Sequence, residues 1–233
     1  MTRILFVCHG NICRSPMAEF MLKDMACRAG IADELAVESA ATSSEELGNP
    51  VYPPARRKLA EHGIDCEGKT ARRIVPEDYE RFDLIIGMDE ANLRNMLRCF
   101  GGDPDRKLHR MLEYARREED TIPDPWYTGD FDETWDDLFE GCMGLMNELH
   151  PEVTLDFSAC RERTELYDEL CRRMLWQPWY GRNLDALNDM LTGLPYLGRS
   201  FVIKLPAADA PCFNYARCIA QEFAINGIPA EIL

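Results

Sequence analysis

The sequence predicts an α/β protein: a parallel sheet with flanking helices, followed by a smaller second α/β unit. Three observations carry this. Ile4-Leu5-Phe6-Val7 is an unbroken apolar run, suited to a strand buried on both faces. It runs straight into the loop Cys8-His9-Gly10-Asn11-Ile12-Cys13-Arg14-Ser15-Pro16 and then into a helix-patterned stretch. Further on, Phe82-Asp83-Leu84-Ile85-Ile86-Gly87-Met88-Asp89 repeats the order, a strand leading into a helix at Glu90. Strands alternating with helices build a parallel sheet covered by those helices.

The elements follow in order. Ser15 and Pro16 are expected as the first helix's N-cap and first helical residue. Met17, Phe20, Met21 and Met25 then share one helical face. Residues 36–40 read as a short second strand, and 48–54, rich in Gly, Asn and Pro, as a surface loop. Residues 55–62 are helix-like, with Gly63 placed to end the helix. Residues 69–73 lead to a further helical turn. Phe131 to Leu149 closes the first unit as a helix, with Trp135, Leu138, Phe139, Cys142, Leu145 and Met146 facing inward. His150-Pro151-Glu152 is a break. Beyond it, residues 153–157 alternate as a strand, and Leu166, Leu170 and Met174 mark a helix. Residues 183–191 mark another helix, 201–205 a strand, 213–224 a helix and 230–233 a last strand.

Composition narrows the function. With 233 residues, 46% of them hydrophobic, the chain holds a real core, in one large or two small domains. No run of about 18 apolar residues occurs, so no membrane association is expected. The first strand begins at once, which leaves no room for a signal peptide and predicts a cytoplasmic protein. A net charge of −15 argues against nucleic acid as a partner. Ten scattered cysteines without a C-x-x-C pair read as a reduced set, and four separated histidines offer no metal site.

The first loop carries the chemistry. Between a buried strand and a helix N-terminus, free backbone N–H groups and the helix dipole both favour an anion. Gly10 and Asn11 tolerate backbone angles closed to most residues, so successive N–H groups can converge into a nest. Arg14 adds a planar fork for two phosphate oxygens. Cys8 stands where the strand ends, and such surroundings stabilise a thiolate aimed at a bound phosphorus. The plainer alternative for Cys8 is a small buried hydrophobe.

The run Val7-Cys8-His9-Gly10-Asn11-Ile12-Cys13-Arg14-Ser15-Pro16-Met17-Ala18-Glu19 resembles the signature of the low-molecular-weight protein tyrosine phosphatase family, and the resemblance extends over residues 1 to about 149. It implies hydrolysis of phosphotyrosine through a cysteinyl-phosphate intermediate, without metal or cofactor, on a phosphotyrosine-containing protein. Cys8 would attack, Arg14 would bind the phosphate, Asn11 would shape the loop and Ser15 would hydrogen-bond the thiolate. His9, Gly10, Ile12 and Cys13 complete the substrate cradle. The family's general acid lies in an Asp-Pro-aromatic motif, met here as Asp124-Pro125-Trp126. Phenolate leaves poorly unless protonated, and Asp124 is the acid for that step. Its two flanking prolines stiffen the backbone, and Trp126 and Tyr127 line the cleft. On its own the motif also reads as an ordinary Asp-Pro turn. Family members acting on phosphoarginine tend to carry threonine where this chain has Ile12, so tyrosine is favoured. The resemblance also implies that Cys13 traps an oxidised Cys8; packing of Cys13 under the loop is the other reading. Arsenate reductase, of the same fold, is the alternative function; it requires two further redox cysteines, for which only Cys66 and Cys99 stand available.

The stretch from Trp179 to Gly193 is similar to barstar, the barnase inhibitor. Leu184, Leu187 and Leu191 form its core stripe, and Asp185 and Asp189 share another face, where like charges cost about 0.2–0.5 kcal/mol. The resemblance implies partner binding through Tyr180, Asn183, Asp185 and Asp189, with a ribonuclease or another basic protein as partner. Arg182 and Asn188 depart from the pattern, and a merely solvated helix face explains the same acidic residues. The second unit also reads as a docking or inhibitory partner for the first, or as an immunity protein with an accessory phosphatase domain. The expected organisation is thus a parallel-sheet phosphatase domain at 1–149 and a smaller barstar-like α/β domain at 153–233.

Overall fold

The computed structural model describes residues 1–115, 121–175, 181–192 and 199–233. They form two compact units, Met1–Leu145 and Met146–Leu233.

The first unit is built on β1 (Thr2–Cys8), α1 (Arg14–Ala29), β2 (Leu35–Ala41), α2 (Pro53–Glu61), α3 (Asp78–Arg81), β3 (Leu84–Gly87), α4 (Glu90–Phe100), β4 (Leu108–Arg110), α5 (Pro125–Thr128) and α6 (Phe131–Leu149). The sheet order is β2-β1-β3-β4, with every pairing parallel. β1 is therefore central: Phe6 faces Ser39 on one side and Ile86 on the other. Its apolar run Ile4–Val7 is fully buried. Leu5 and Val7 enter a cluster with Ile85, Met96 and Phe82 on one face of the sheet. Alternation sends Ile4 and Phe6 to the other face, where α1 packs against β1 and β2 and buries Met17, Met21, Leu22 and Met25. The chain leaves β1 toward β2 on one side, while β3 lies on the other. The end of β1 is thus a topological switch point, where open parallel sheets hold ligands.

Two local expectations are corrected, and one strand was not expected. α1 starts at Arg14, with Cys13 in the cap position and no side-chain cap bond. Ser15 is not the N-cap, because its hydroxyl is committed inside the loop. The strand at 82–89 is shorter than its apolar run, since Phe82 turns into the core and Met88 and Asp89 lead into α4. β4, three residues of mixed polarity at the sheet edge, has no sequence pattern to announce it.

The second unit holds β5 (Glu152–Asp156), α7 (Arg163–Arg173), α8 (Leu184–Thr192), β6 (Ser200–Lys204), α9 (Phe213–Ile225) and β7 (Ala230–Ile232). Its sheet order is β5-β6-β7, again all parallel. Leu155, Phe157, Leu170, Ile203 and Phe223 are fully buried at its centre. A capping box of Glu162 and Glu165 starts α7. Among the described residues, no helix is long and apolar enough to cross a membrane.

One close approach in the first unit demands glycine. A Cβ on Gly144 of α6 would lie 1.9 Å from the Tyr114 carbonyl oxygen. Gly144→Ala should therefore destabilise the protein by about 1–3 kcal/mol, against the ~1 kcal/mol that the change normally adds to a helix. A urea titration checks this; an unchanged or raised midpoint contradicts the packing.

Candidate active site

Cys8 is the last residue of β1 and is buried. Its Sγ accepts a hydrogen bond from the Asn11 backbone N–H at 3.2 Å and lies 3.0 Å from the Ser15 hydroxyl. Asn11 makes this geometry possible with φ at 56°, in the left-handed region that Asn tolerates. Gly10 serves differently: its φ is not positive. A side chain there would press on Glu46, whose Cγ lies 3.2 Å from the place of a Cβ.

The direction of the bonds around Cys8 can be worked out. Asn11 Oδ1 accepts from the Arg72 N–H, so Nδ2 must face the other way. Nδ2 donates to Ser15 Oγ at 2.9 Å and to Ser39 Oγ at 2.7 Å. Ser15 thereby has an acceptor site filled, and its own hydrogen is left for Cys8 Sγ at 3.0 Å or the more distant Ala40 carbonyl at 3.5 Å. Ser39 donates to Glu19 Oε2 at 2.6 Å. Glu19 is buried and also bound by Lys69 Nζ at 2.7 Å and Lys23 Nζ at 2.5 Å. Burial pushes the Glu19 carboxyl up, but Lys69, Lys23 and Ser39 outweigh it and hold it below the ordinary range.

Arg14 forms the floor and is 2% exposed. One terminal nitrogen donates to Asp89 Oδ2 at 2.8 Å and to the Ile122 carbonyl at 3.0 Å, the other to Asp124 Oδ2 at 2.5 Å. Its Nε is buried and has no hydrogen-bond partner. Both carboxylates are anchored as helix N-caps. Asp89 Oδ1 accepts from Asn92 N–H at the start of α4, and Asp124 Oδ1 from Trp126 N–H at the start of α5. Pro125 at the first position of α5 sets its backbone for the turn.

Cys8, Arg14 and Asp124 line one cavity of about 120 Å³, together with His9, Gly10, Ile12, Cys13, Trp126 and Tyr127. Asn11 and Ser15, expected among the substrate contacts, are not part of this lining and support the loop from below. Trp126 is half exposed and leans on Tyr52, their ring centroids 4.9 Å apart. Ile12 packs with Cys13, Ala71, Tyr52 and Phe131 as an apolar wall. Burial, with the nearby Cys8 and Asp124, pushes the Cys13 thiol far up. Cys66 and Cys99 lie outside the cavity lining, and burial pushes both of their thiols up. Among the described residues, no cluster of three metal-ligating side chains occurs.

Sequence reasoning missed Asp89, Ser39, Glu19, Lys69, Arg72, Glu45 and Glu46. Only Asp89, the last residue of a predicted strand and directly before a predicted helix, carried a usable signal. In the second unit, Asp185 and Asp189 are exposed on α8. Asn183 spends its side-chain oxygen on the Ala186 N–H, and Arg182 pairs with Asp168. The Tyr180 expectation lies outside the described residues.

The fold and cradle define an α/β protein whose central strand ends in an anion-binding loop over a cysteine. Residues 3–155 match the family described as low molecular weight phosphotyrosine protein phosphatase. Residues 150–214 match Barstar (barnase inhibitor). Low molecular weight protein-tyrosine-phosphatase YfkJ of Bacillus subtilis is 35% identical over 156 residues, 66% of this chain and 100% of that protein. The crystal structure of YfkJ superimposes with a TM-score of 0.63 at 35% identity, covering 64% of this chain and 94% of the other. That of SP-PTP from Streptococcus pyogenes gives 0.58 at 37% identity, covering 64% and 93%. The chain belongs to the low molecular weight phosphotyrosine protein phosphatase family.

The lowered Glu19 titration has a stability consequence. A carboxyl depressed in the folded state contributes fully above its unfolded value, and the contribution fades as pH falls through the folded one. The stability gap between the protein and its Glu19→Gln variant should be constant from about pH 6 to 8 and narrow below about pH 4.5. Urea melts across this range check it; a gap that widens in acid contradicts the ion cluster.

Proposed function

We propose that residues 1–149 form a phosphatase domain that hydrolyses phosphotyrosine in proteins through a cysteinyl-phosphate intermediate. The observation that carries this is the Arg14 Nε, buried beside Cys8 without a partner. A buried donor left unpaired costs about 1–3 kcal/mol, and a phosphate oxygen would satisfy it.

In the proposed reaction the phosphate lies against the loop N–H groups and Arg14 Nε. Sγ of Cys8, stabilised as thiolate by Asn11 N–H and Ser15 Oγ, attacks phosphorus. The P–O bond to the aryl group breaks as the S–P bond forms. Protonated Asp124 gives its proton to the departing phenolate. As carboxylate it then takes a proton from water, whose oxygen attacks phosphorus and releases Cys8 and inorganic phosphate. Arg14 and the backbone N–H groups bear the charge spread over the equatorial oxygens. The Ile12 wall and the ring of Trp126 suit a flat aryl group, and Ile12 offers no hydroxyl to a guanidinium.

For residues 153–233 we propose a protein-binding domain whose exposed Asp185 and Asp189 meet a basic partner such as a ribonuclease. Cytoplasmic residence is supported by ten free thiols, and the net charge of −15 disfavours nucleic acid as a partner.

Cys8→Ser should abolish turnover of phenyl phosphate. Asp124→Asn should slow it about 10²–10⁴-fold, and much less for para-nitrophenyl phosphate, whose leaving group needs no proton. Steady-state kinetics on both substrates check this; an active Cys8→Ser protein overturns the nucleophile. The full chain should inhibit a basic ribonuclease, and the Asp185→Asn/Asp189→Asn variant should inhibit it at least tenfold less well. Equal inhibition by the two, or none by either, overturns the acidic face as a ribonuclease site.

A further inference from the structure

The cavity over Cys8 is charged at its mouth as well as at its floor. Glu45 and Glu46, from the segment after β2, line it together with the cradle. Glu45 stands out in solvent, its side chain 72% exposed, and accepts a hydrogen bond from His9 Nε2 at 3.0 Å. The imidazole fixes the direction of this carboxylate at the mouth of the cavity. Glu46 is held in place from two directions: Asn49 Nδ2 donates to its Oε2 at 2.7 Å, and Gly10 leaves room for its Cγ.

Two carboxylates alone are only a solvated patch. This cavity bears an independent mark of a ligand in Arg14, a side chain 2% exposed whose Nε is left without a partner at the floor. An aryl phosphate anchored there runs outward past Trp126 and Tyr127. Whatever follows the aryl ring must emerge among the exposed lining residues. The acidic side chains of the lining are Glu45, which is exposed, and Glu46 and Asp124, which are half-buried; Asp124 is taken by Arg14, and Arg14, the permanent cation of the lining, is buried and already bridged to Asp89 and Asp124.

We propose that Glu45 and Glu46 form a specificity subsite for a lysine or arginine side chain beside the phosphotyrosine of a peptide substrate. The proposal rests on the phosphatase reading above. The same charges repel acidic flanks, so the enzyme should favour phosphotyrosine in basic sequence. Both residues act on the part of the substrate that does not react, so their effect belongs in the comparison between peptides.

The test uses one phosphotyrosyl peptide scaffold with two lysines, two alanines or two glutamates next to the phosphotyrosine. Each is assayed for kcat/KM with the full chain and with its Glu45→Gln/Glu46→Gln variant, and para-nitrophenyl phosphate serves as the flank-free reference. Glutamine at 46 still accepts from Asn49, which keeps the local structure. The expected order is lysine over alanine over glutamate, with extremes roughly three- to tenfold apart, as exposed ion pairs allow. The spread should shrink in 1 M salt, where screening acts within about 3 Å, and collapse in the double variant. Equal kcat/KM for the three peptides, or a spread that survives in the double variant, overturns the subsite while leaving the phosphatase intact. No turnover of para-nitrophenyl phosphate by the full chain overturns the phosphatase reading and the subsite with it.

Discussion

An ionised carboxylate can only accept hydrogen bonds, and in this fold that rule reaches Cys8 from Glu19. Glu19 sits in the core side of α1, held by Lys69 and Lys23. Because it must accept, Ser39 must donate to it. Ser39 can then accept from Asn11, and the same amide nitrogen fills an acceptor site on Ser15. The one hydrogen left, on Ser15, has the sulfur at 3.0 Å and the Ala40 carbonyl at 3.5 Å as acceptors, the sulfur being the nearer. The sulfur is therefore met by the Ser15 O–H, which side chains as far off as Glu19 orient, and by the Asn11 N–H, which the left-handed backbone at Asn11 orients. Such a network stabilises only if every member is satisfied, and here each named link has its partner.

The same logic in reverse applies to Arg14. A guanidinium taken out of water needs its charge matched and its N–H groups paired. Asp89, Asp124 and the Ile122 carbonyl take the two ends of the fork. Each carboxylate also caps a helix, so neither can swing freely. The fork is thus set by two backbone turns, and its inner nitrogen, Nε, is buried without a partner. Asp124 occupies two positions in this scheme. It caps α5 and pairs with Arg14, and in the proposed reaction a phosphate bound to Arg14 would compete with that ion pair.

The second unit repeats the parallel α/β construction at smaller scale. α7 packs against β5 and α9 against β7, and its core relies on aromatic residues such as Phe157, Phe201 and Phe223. α8 turns Leu187 and Leu191 inward. Asp185 and Asp189 are left on the solvent side, four residues apart, where repulsion between them is cheap in water and becomes useful only against a positive surface.

Local chemistry was enough to read most of this chain. The apolar run at Ile4–Val7 could only be a buried strand. The order of Cys8, Gly10, Asn11, Arg14 and Pro16 wrote a loop and a helix start, and Asp124-Pro125 wrote the second turn. These signals lie within a few neighbouring residues, so sequence alone determined the two α/β units and the loop that joins Cys8 to Arg14, and it nominated Asp124, which the fold sets against Arg14, as the proposed acid. What it could not reach depended on distant segments meeting. Glu19 and Lys23 look like a surface pair on a helix, and only packing against β2 and Lys69 buries Glu19 while Lys23 stays at the surface. Ser15 reads as a cap until Cys8 and Asn11 claim its hydroxyl. β4 is too short and too polar to show a period, and exists because β3 offers an edge to pair with. Glu45 and Glu46 are an ordinary loop pair in the sequence; the return of the chain after β2 to the end of β1 brings them to the mouth of the site. Hydrogen-bond direction and burial are properties of three-dimensional neighbourhoods, and the tertiary structure alone decided them.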